Sequence, residues 1–354
     1  MQSVDSFTLS KDLSMPDVLH AGGEPMNLTI RAAKDVNING SLSDGFANAG
    51  RSTSSATAIF PEAAGSFRVV AGADLSAADV MQTQAGSGGN LTIAAGKLIR
   101  TTDGSIQLAA AQNIELKTNY SAANRTPTQA SVYVAGRLAQ LSDGQLFSNP
   151  NVAWSQFTDH GGRLELNAGG DVVAPGAAQT FANWFYHTSN PGAPLNTAWW
   201  SSFDAFKQGV GSFGGGNVDV RAGGNISNLA VVAPTSARTV DDVLTIHNGG
   251  DIDVRAQGDV RGGSIFAGRG MATVVSGGAM TKGDALNTNL PTTALNVGLM
   301  DAQVSLQSKG DLAIEMVTNP TIWRNATRID KTSGSTSASY FTYSDASALT
   351  ATSV

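Results

Sequence analysis

Residues 249–268 read GGDIDVRAQGDVRGGSIFAG. Three aspartates, six glycines and an apolar residue at alternate positions allow three readings. The stretch is a glycine-rich ligand loop, a calcium repeat, or the unit of a repeating scaffold. Its periodicity favours the last. Ile252, Val254 and Ala256 alternate with Asp251, Asp253 and Arg255. A period of two places the first set on one face of a strand and the second on the other. Gln257-Gly258-Asp259 then bends the chain, because Gly and Asp tolerate positive φ. Val260 returns to the buried side.

The phrase recurs. Residues 88–96 read GGNLTIAAG, 161–172 GGRLELNAGGDV and 215–226 GGNVDVRAGGNI. Looser copies are NLTIRAAKDVNI (27–38), GSFRVVAGADL (65–75), GSIQLAAAQNIEL (104–116) and AQVSLQSKGDLAI (302–314). One such unit cannot bury its apolar face alone, whereas stacked units can. The expected fold is therefore all-β: a right-handed parallel β-helix, or solenoid, running through residues 1–354 as a single segment. The phrase returns after 15 residues between Leu91 and Ile106, which sets an expected rung length. The 34 residues from Val218 to Ile252 fit two rungs, or one rung with a loop.

Composition agrees. Glycine is high at 40 residues, and charged residues make up 14% against the usual ~25%. Helical bundles use more Leu, Glu and Lys. The net charge of −6, with no basic tract, argues against nucleic acid as a partner. Cysteine is absent, which fits an exported protein without disulfides. No apolar run reaches the ~18 residues of a transmembrane helix. The N-terminal MQSVDSFTLSKDLSMPDVLH shows no signal peptide, so the expectation is an interior piece of a larger exported protein.

Three segments interrupt the repeat. Residues 118–160 are expected to be a loop-rich insertion around the apolar strand SVYVAGRL (131–138). Residues 320–354 are expected to be irregular and to end in an incomplete rung. Residues 177–213 hold three of the five tryptophans and five phenylalanines. There Trp199, Phe203 and Phe206 fall at i, i+4 and i+7, the spacing of one helical face. Phe181, Trp184 and Phe185 form an earlier group, and Asn190-Pro191-Gly192 separates the two. A partly helical hairpin packed on the coil wall is expected. Its aromatics Trp184, Trp199, Trp200, Phe203 and Phe206 are also the candidate partner-binding patch, should they be exposed.

Motifs for chemistry are sparse. GVGSFG (209–214) matches G-x-G-x-x-G but lacks the preceding strand and following helix of a dinucleotide site, and reads as a flexible exit from the aromatic segment. The calcium repeat needs glycine where Ile252 stands, so the aspartates read as solvent-side charges. His20, His160, His187 and His247 have no metal-ligand spacing. No cofactor, no metal site and no catalytic residue is expected, and the chain reads as a non-enzyme. The sequons at Asn90 and Asn225 belong to the turn position of the repeat.

The phrases above, and most specifically TAWWSSFDAFKQGVGSFGGGNVDVRAGGNISNLAVVAPTSAR, resemble the filamentous haemagglutinin family of bacterial exoproteins. More narrowly they resemble the C-terminal part of the large filamentous haemagglutinin family outer membrane proteins. The likeness is strongest over 64–285. It implies a Gram-negative protein exported by two-partner secretion through an outer-membrane transporter, which recognises an N-terminal domain missing here. It further implies a β-helical shaft, secreted or at the cell surface, acting in adhesion to host-cell or bacterial surface glycans or proteins, with a C-terminal toxin in some members. No toxin-like segment is visible. Two alternatives remain open. One is a carbohydrate-active β-helix enzyme, with Arg100, Asp103, Arg137 and Asp143 as the acid and arginine cluster to test. The other is a glycan-binding module using the tryptophans.

Overall fold

The computed structural model describes residues 1–15, 25, 27–47, 59–60, 62–119, 128–138, 157–176, 180–190, 193–240, 243–285, 292–320 and 345–354. Among these the chain is all-β, with no α-helix and two single 3-10 turns, and is dominated by large parallel sheets, consistent with a parallel β-helix. None of the described helices is long and apolar enough to cross a membrane.

The strands form three columns, and each circuit of the chain adds one strand to each column in turn. The first column stacks Leu28–Ala32, Phe67–Ala71, Ile106–Ala110, Leu164–Ala168, Val218–Ala222 and Ile252–Ala256, all parallel and in register. The second stacks eight short strands from Phe7–Leu9 and Val36–Ile38 to Val260–Arg261 and Met280–Thr281. The third runs through Leu42–Asp44, Leu98–Thr101, Ser131–Val134, Gly209–Ser212 and Ala230–Ala233. Two long strands, Ser264–Ser276 and Leu295–Ser308, pass through the corner from the third column into the first, joining both in one 17-stranded sheet. Alternate residues of every column point inward. Ile252, Val254, Ala256 and Val260 meet Val218, Val220, Ile226 and their equivalents in one continuous aliphatic core.

Circuit length is irregular, from 20 residues (Asp251 to Met271) to 58 (Ser105 to Arg163). The 15-residue spacing is therefore not a rung. Leu91 stacks on Val36 and Ile114 in the second column, while Ile106 stacks on Phe67 and Leu164 in the first. Short alternating strands on different faces read alike in sequence. The 34 residues from Val218 to Ile252 are one circuit with an excursion, since these two residues are direct neighbours.

The Gly–Asn/Asp doublets have a more specific cause than turn propensity. At the corner between the first and second columns, Asp35, Asn90, Asn113, Asp171, Asn225 and Asp259 stack in a ladder. Each Oδ1 accepts the backbone N–H of the next member at 2.6–3.2 Å, and the last accepts from Ala279 at 2.9 Å. Each bond satisfies a donor on a turn that no strand can pair. The glycine before each polar residue makes room for it. A Cβ on Gly258 would lie 2.3 Å from Asn225 Oδ1, and one on Gly224 would lie 2.1 Å from Asp171 Oδ1. Gly258 and Asp259 are not at positive φ, so close approach and not left-handed backbone selects them. Nor are Asp251 and Asp259 mere solvent-side charges, since Asp251 Oδ1 likewise accepts from Met271 N–H at 2.8 Å.

The interruptions differ from expectation. The aromatic segment is not helical. Phe185–Asn190 and Ala193–Ser201 form an antiparallel hairpin, flanked by 3-10 turns at Phe181–Asn183 and Phe203–Ala205. Aromatic and Thr-rich runs favour extended backbone, and the i, i+4, i+7 spacing straddles a strand end and a turn. The segment also ends earlier than residue 213. Gly209–Ser212 is a buried strand of the third column and not a flexible exit. Ser131–Val134 likewise belongs to the third column, which divides 118–160 into two excursions. These carry the antiparallel pairs Thr118–Asn119 with Thr128–Gln129, and Arg137–Leu138 with Thr158–Asp159. At the C-terminal end, Ala348–Ser353 is regular and stacks on Gln303–Ser308, and residues 321–344 lie outside the described set.

Candidate functional site

A second core lies on the outer face of the third column. Outward positions there stack as Ser43, Arg100, Tyr133, Gly211, Val232, Phe266 and Gly298. The aromatic hairpin covers this row together with a second excursion. Thr235–Val240 and Val243–Asn248 pair with each other, and the first pairs with Ala193–Ser201, giving one four-stranded antiparallel sheet. Trp184, Trp199, Trp200, Phe203 and Phe206 are all buried, none more than 5% exposed. They do not form an open patch. Trp184 packs edge-on to Phe206 at 5.3 Å and to Phe213 at 5.8 Å, favourable aromatic geometry. Trp199 donates its indole N–H to Thr235 Oγ1 at 3.1 Å.

Arg100 is fully buried in this second core. Its Nε donates to Ser43 Oγ at 2.9 Å and its Nη1 to Tyr133 OH at 2.8 Å. The guanidinium lies 4.0 Å over the Phe46 ring and 3.9 Å from Asp204 Oδ1, on the 3-10 turn of the cover. This is a structural tie between wall and cover. Arg137 instead pairs with Asp103, which also caps the Ala64 N–H at 2.7 Å. Arg100 therefore makes its contacts inside the second core, and Asp143 lies outside the described residues. The expected acid and arginine cluster does not assemble from the three members that are described.

The first column keeps a different outer face. Outward rows run Arg68, Gln107, Glu165, Asp219, Asp253 and, two residues along, Val70, Ala109, Asn167, Arg221, Arg255. Hydrogen bonds link them: Arg68 Nε to Gln107 Oε1 at 3.1 Å, Gln107 Nε2 to Glu165 Oε2 at 3.3 Å, and Asn167 Nδ2 to Glu165 Oε1 at 2.9 Å. Further along, Arg163 pairs with Asp219 at 2.9 Å, and Arg221 and Arg255 pair with Asp253 at 3.3 and 3.0 Å. The hydrogen bond to Asp219 raises Arg163 above its ordinary value, and Asp253 does the same for Arg255.

The segment between Phe67–Ala71 and Leu91–Ile93 straps across the N-terminal part of this face. Leu75 and Met81 pack on Val70, Ala73 and Ala109. Asp74 and Asp79 each accept a backbone N–H two residues on, from Ser76 and Met81, which fixes the strap's turns. Where the strap ends, a polar cleft of about 450 Å³ opens, walled by Asp79, Gln82 and Thr83 and floored by Gln107, Glu165 and Asn167.

No protein-family model, curated protein or solved structure matches this chain.

The cleft is absent from the sequence reading. The alternation in LELNA (164–168) places Glu165 and Asn167 outward, and that much was visible. Their partnership with residues 79–83 arises only because one circuit of chain separates Phe67–Ala71 from Ile106–Ala110 and the next brings Leu164–Ala168 alongside. No local pattern encodes that neighbourhood. Among the described residues no group of three or more His, Asp or Glu side chains gathers as for a metal.

Proposed function

We propose that this chain is a segment of a non-catalytic, structural or adhesive shaft of the filamentous haemagglutinin type. It is a right-handed parallel β-helix, exported by two-partner secretion through an outer-membrane transporter and held at the surface of a Gram-negative cell or released from it. The observation that carries this reading is the in-register axial stack: three columns whose strands, aliphatic interior and Asn/Asp ladder continue from circuit to circuit with the same cross-section. Such a structure grows by repetition into a rod, at ~4.8 Å per layer. A rod presents its sides and excursions and needs no further machinery to serve as a spacer.

Surface labelling of intact cells that express the protein, with and without its transporter, tests the reading. Labelling that disappears when the transporter gene is deleted is the expected result. Signal confined to the cytosol, or unchanged without the transporter, would remove it. Small-angle scattering of the purified chain should give an elongated particle of constant cross-section. The second reading, a carbohydrate-binding module, is favoured by one feature: the polar cleft on the first column. The tryptophans do not favour it, since they are buried.

A further inference from the structure

The cleft beside the strap is the place on the molecule where polar side chains from distant circuits converge around open volume. We propose that it binds a neutral oligosaccharide. Its size falls within the ~300–1,000 Å³ range of small-ligand sites. The lining chemistry narrows the class. Gln82, Gln107 and Asn167 offer amides, Thr83 a hydroxyl, and Asp79 and Glu165 carboxylates, with no lysine or arginine among the lining residues. Two carboxylates without a lining cation repel an anionic ligand, so a sulfated or uronic chain is excluded. Amides and carboxylates side by side suit hydroxyl groups, which donate and accept at once.

The site is preorganised. Glu165 is held by Gln107 on one oxygen and Asn167 on the other, and Gln107 is held by Arg68. The floor is rigid because its side chains stand on in-register strands, and the wall is fixed by the packing of Met81 and Leu75 on Val70 and Ala109. Ala109, Ala110, Ala168 and Gly169 leave the floor low, so a flat sugar ring can approach the backbone. The cleft opens along the column axis toward Asp219 and Asp253. An extended chain can therefore continue past it, meeting one polar pair per layer.

The inference goes beyond the shaft reading, and the two fail separately. Absence of sugar binding leaves transporter-dependent display unchanged, and cytosolic protein can still bind sugar. The test is calorimetric titration of the full chain with neutral gluco-, galacto- and manno-oligosaccharides and with their sulfated counterparts. A neutral oligomer is expected to bind and the sulfated form not to bind. The double variant Glu165→Gln/Asn167→Ala should weaken binding at least tenfold, and Arg255→Ala, two layers away, should change it less than twofold. Thr83→Trp, which fills the cleft from the strap without entering the aliphatic core, should abolish binding with the melting temperature retained. No binding of any neutral oligomer, equal binding of the sulfated ones, or unchanged affinity in Thr83→Trp would each overturn the proposal.

Discussion

The molecule has two cores that differ in how they are built. The core inside the columns is aliphatic, made of Ile, Leu, Val and Ala at alternate positions, each resting on its equivalent one circuit away. The core outside the third column is aromatic, made of Trp184, Trp199, Phe203, Phe206, Phe213 and Phe266 brought together by excursions from successive circuits. The inner core is a repeat, so the loss of one layer is buffered by like neighbours. The outer core is a single cluster with a buried arginine, so each member is unique. Repetition gives the shaft its length, and the unique cluster gives one side of it a fixed shape.

The largest expected effect is on the aromatic side. Trp184→Ala should cost about 3–5 kcal/mol in urea unfolding, against about 2–5 for the inner Leu166→Ala. Near-ultraviolet dichroism should fall for the first and persist for the second. Equal loss of that signal in both would mean that the two cores melt as one unit. Arg100→Ala should cost roughly 3 kcal/mol, because Asp204 and Tyr133 lose a buried partner. Arg100→Met should recover much of that loss, and its failure to do so would show that the charge itself holds the cover down.

The ladder offers smaller steps. Asn225→Ala removes the acceptor of the Asp259 N–H and should cost about 1–3 kcal/mol. In the opposite direction, Ala279 interrupts the ladder, and Gly310 stands above it with its Cβ position 3.2 Å from the Ala279 Cβ. Ala279→Asn should add a bond and about 0.5–1.5 kcal/mol, read as a higher urea midpoint. The smallest effect is in pH. The Ala279 N–H, and then Arg261, hold Asp259 below its ordinary value. The unfolded chain therefore binds the proton first, so this contribution is complete above about pH 4 and is lost as pH falls through the folded value. Asp259→Asn should flatten the acid limb of stability against pH, and an unchanged limb would assign that limb to other carboxylates.

Much of the inner core was legible in the amino acids. The alternation in IDVRA, VDVRA and LELNA predicts which residues face inward, and Ile252, Val220 and Leu166 do so. The cleft was legible only in halves, as outward Glu165 and Asn167 without their wall. The aromatic segment was misread because helical spacing and a strand-turn-strand path place Trp199, Phe203 and Phe206 on a common side alike. Residues 235–248, which complete its sheet, carry no signal that names their partner.

By itself the sequence determined the strands, their inward faces and the corner positions, because period-two alternation and the Gly–Asn/Asp doublet act over a few residues. Only the tertiary structure decided which phrase joins which column, how long a circuit is, and that the tryptophans are covered. Those outcomes depend on contacts across 20 to 58 residues of chain, where excursions of any length preserve the same local pattern. Even the glycines of GGDIDVRAQGDV show the division. Their spacing announces a turn, and the Asn225 oxygen one circuit below gives the reason that Gly258 must be glycine.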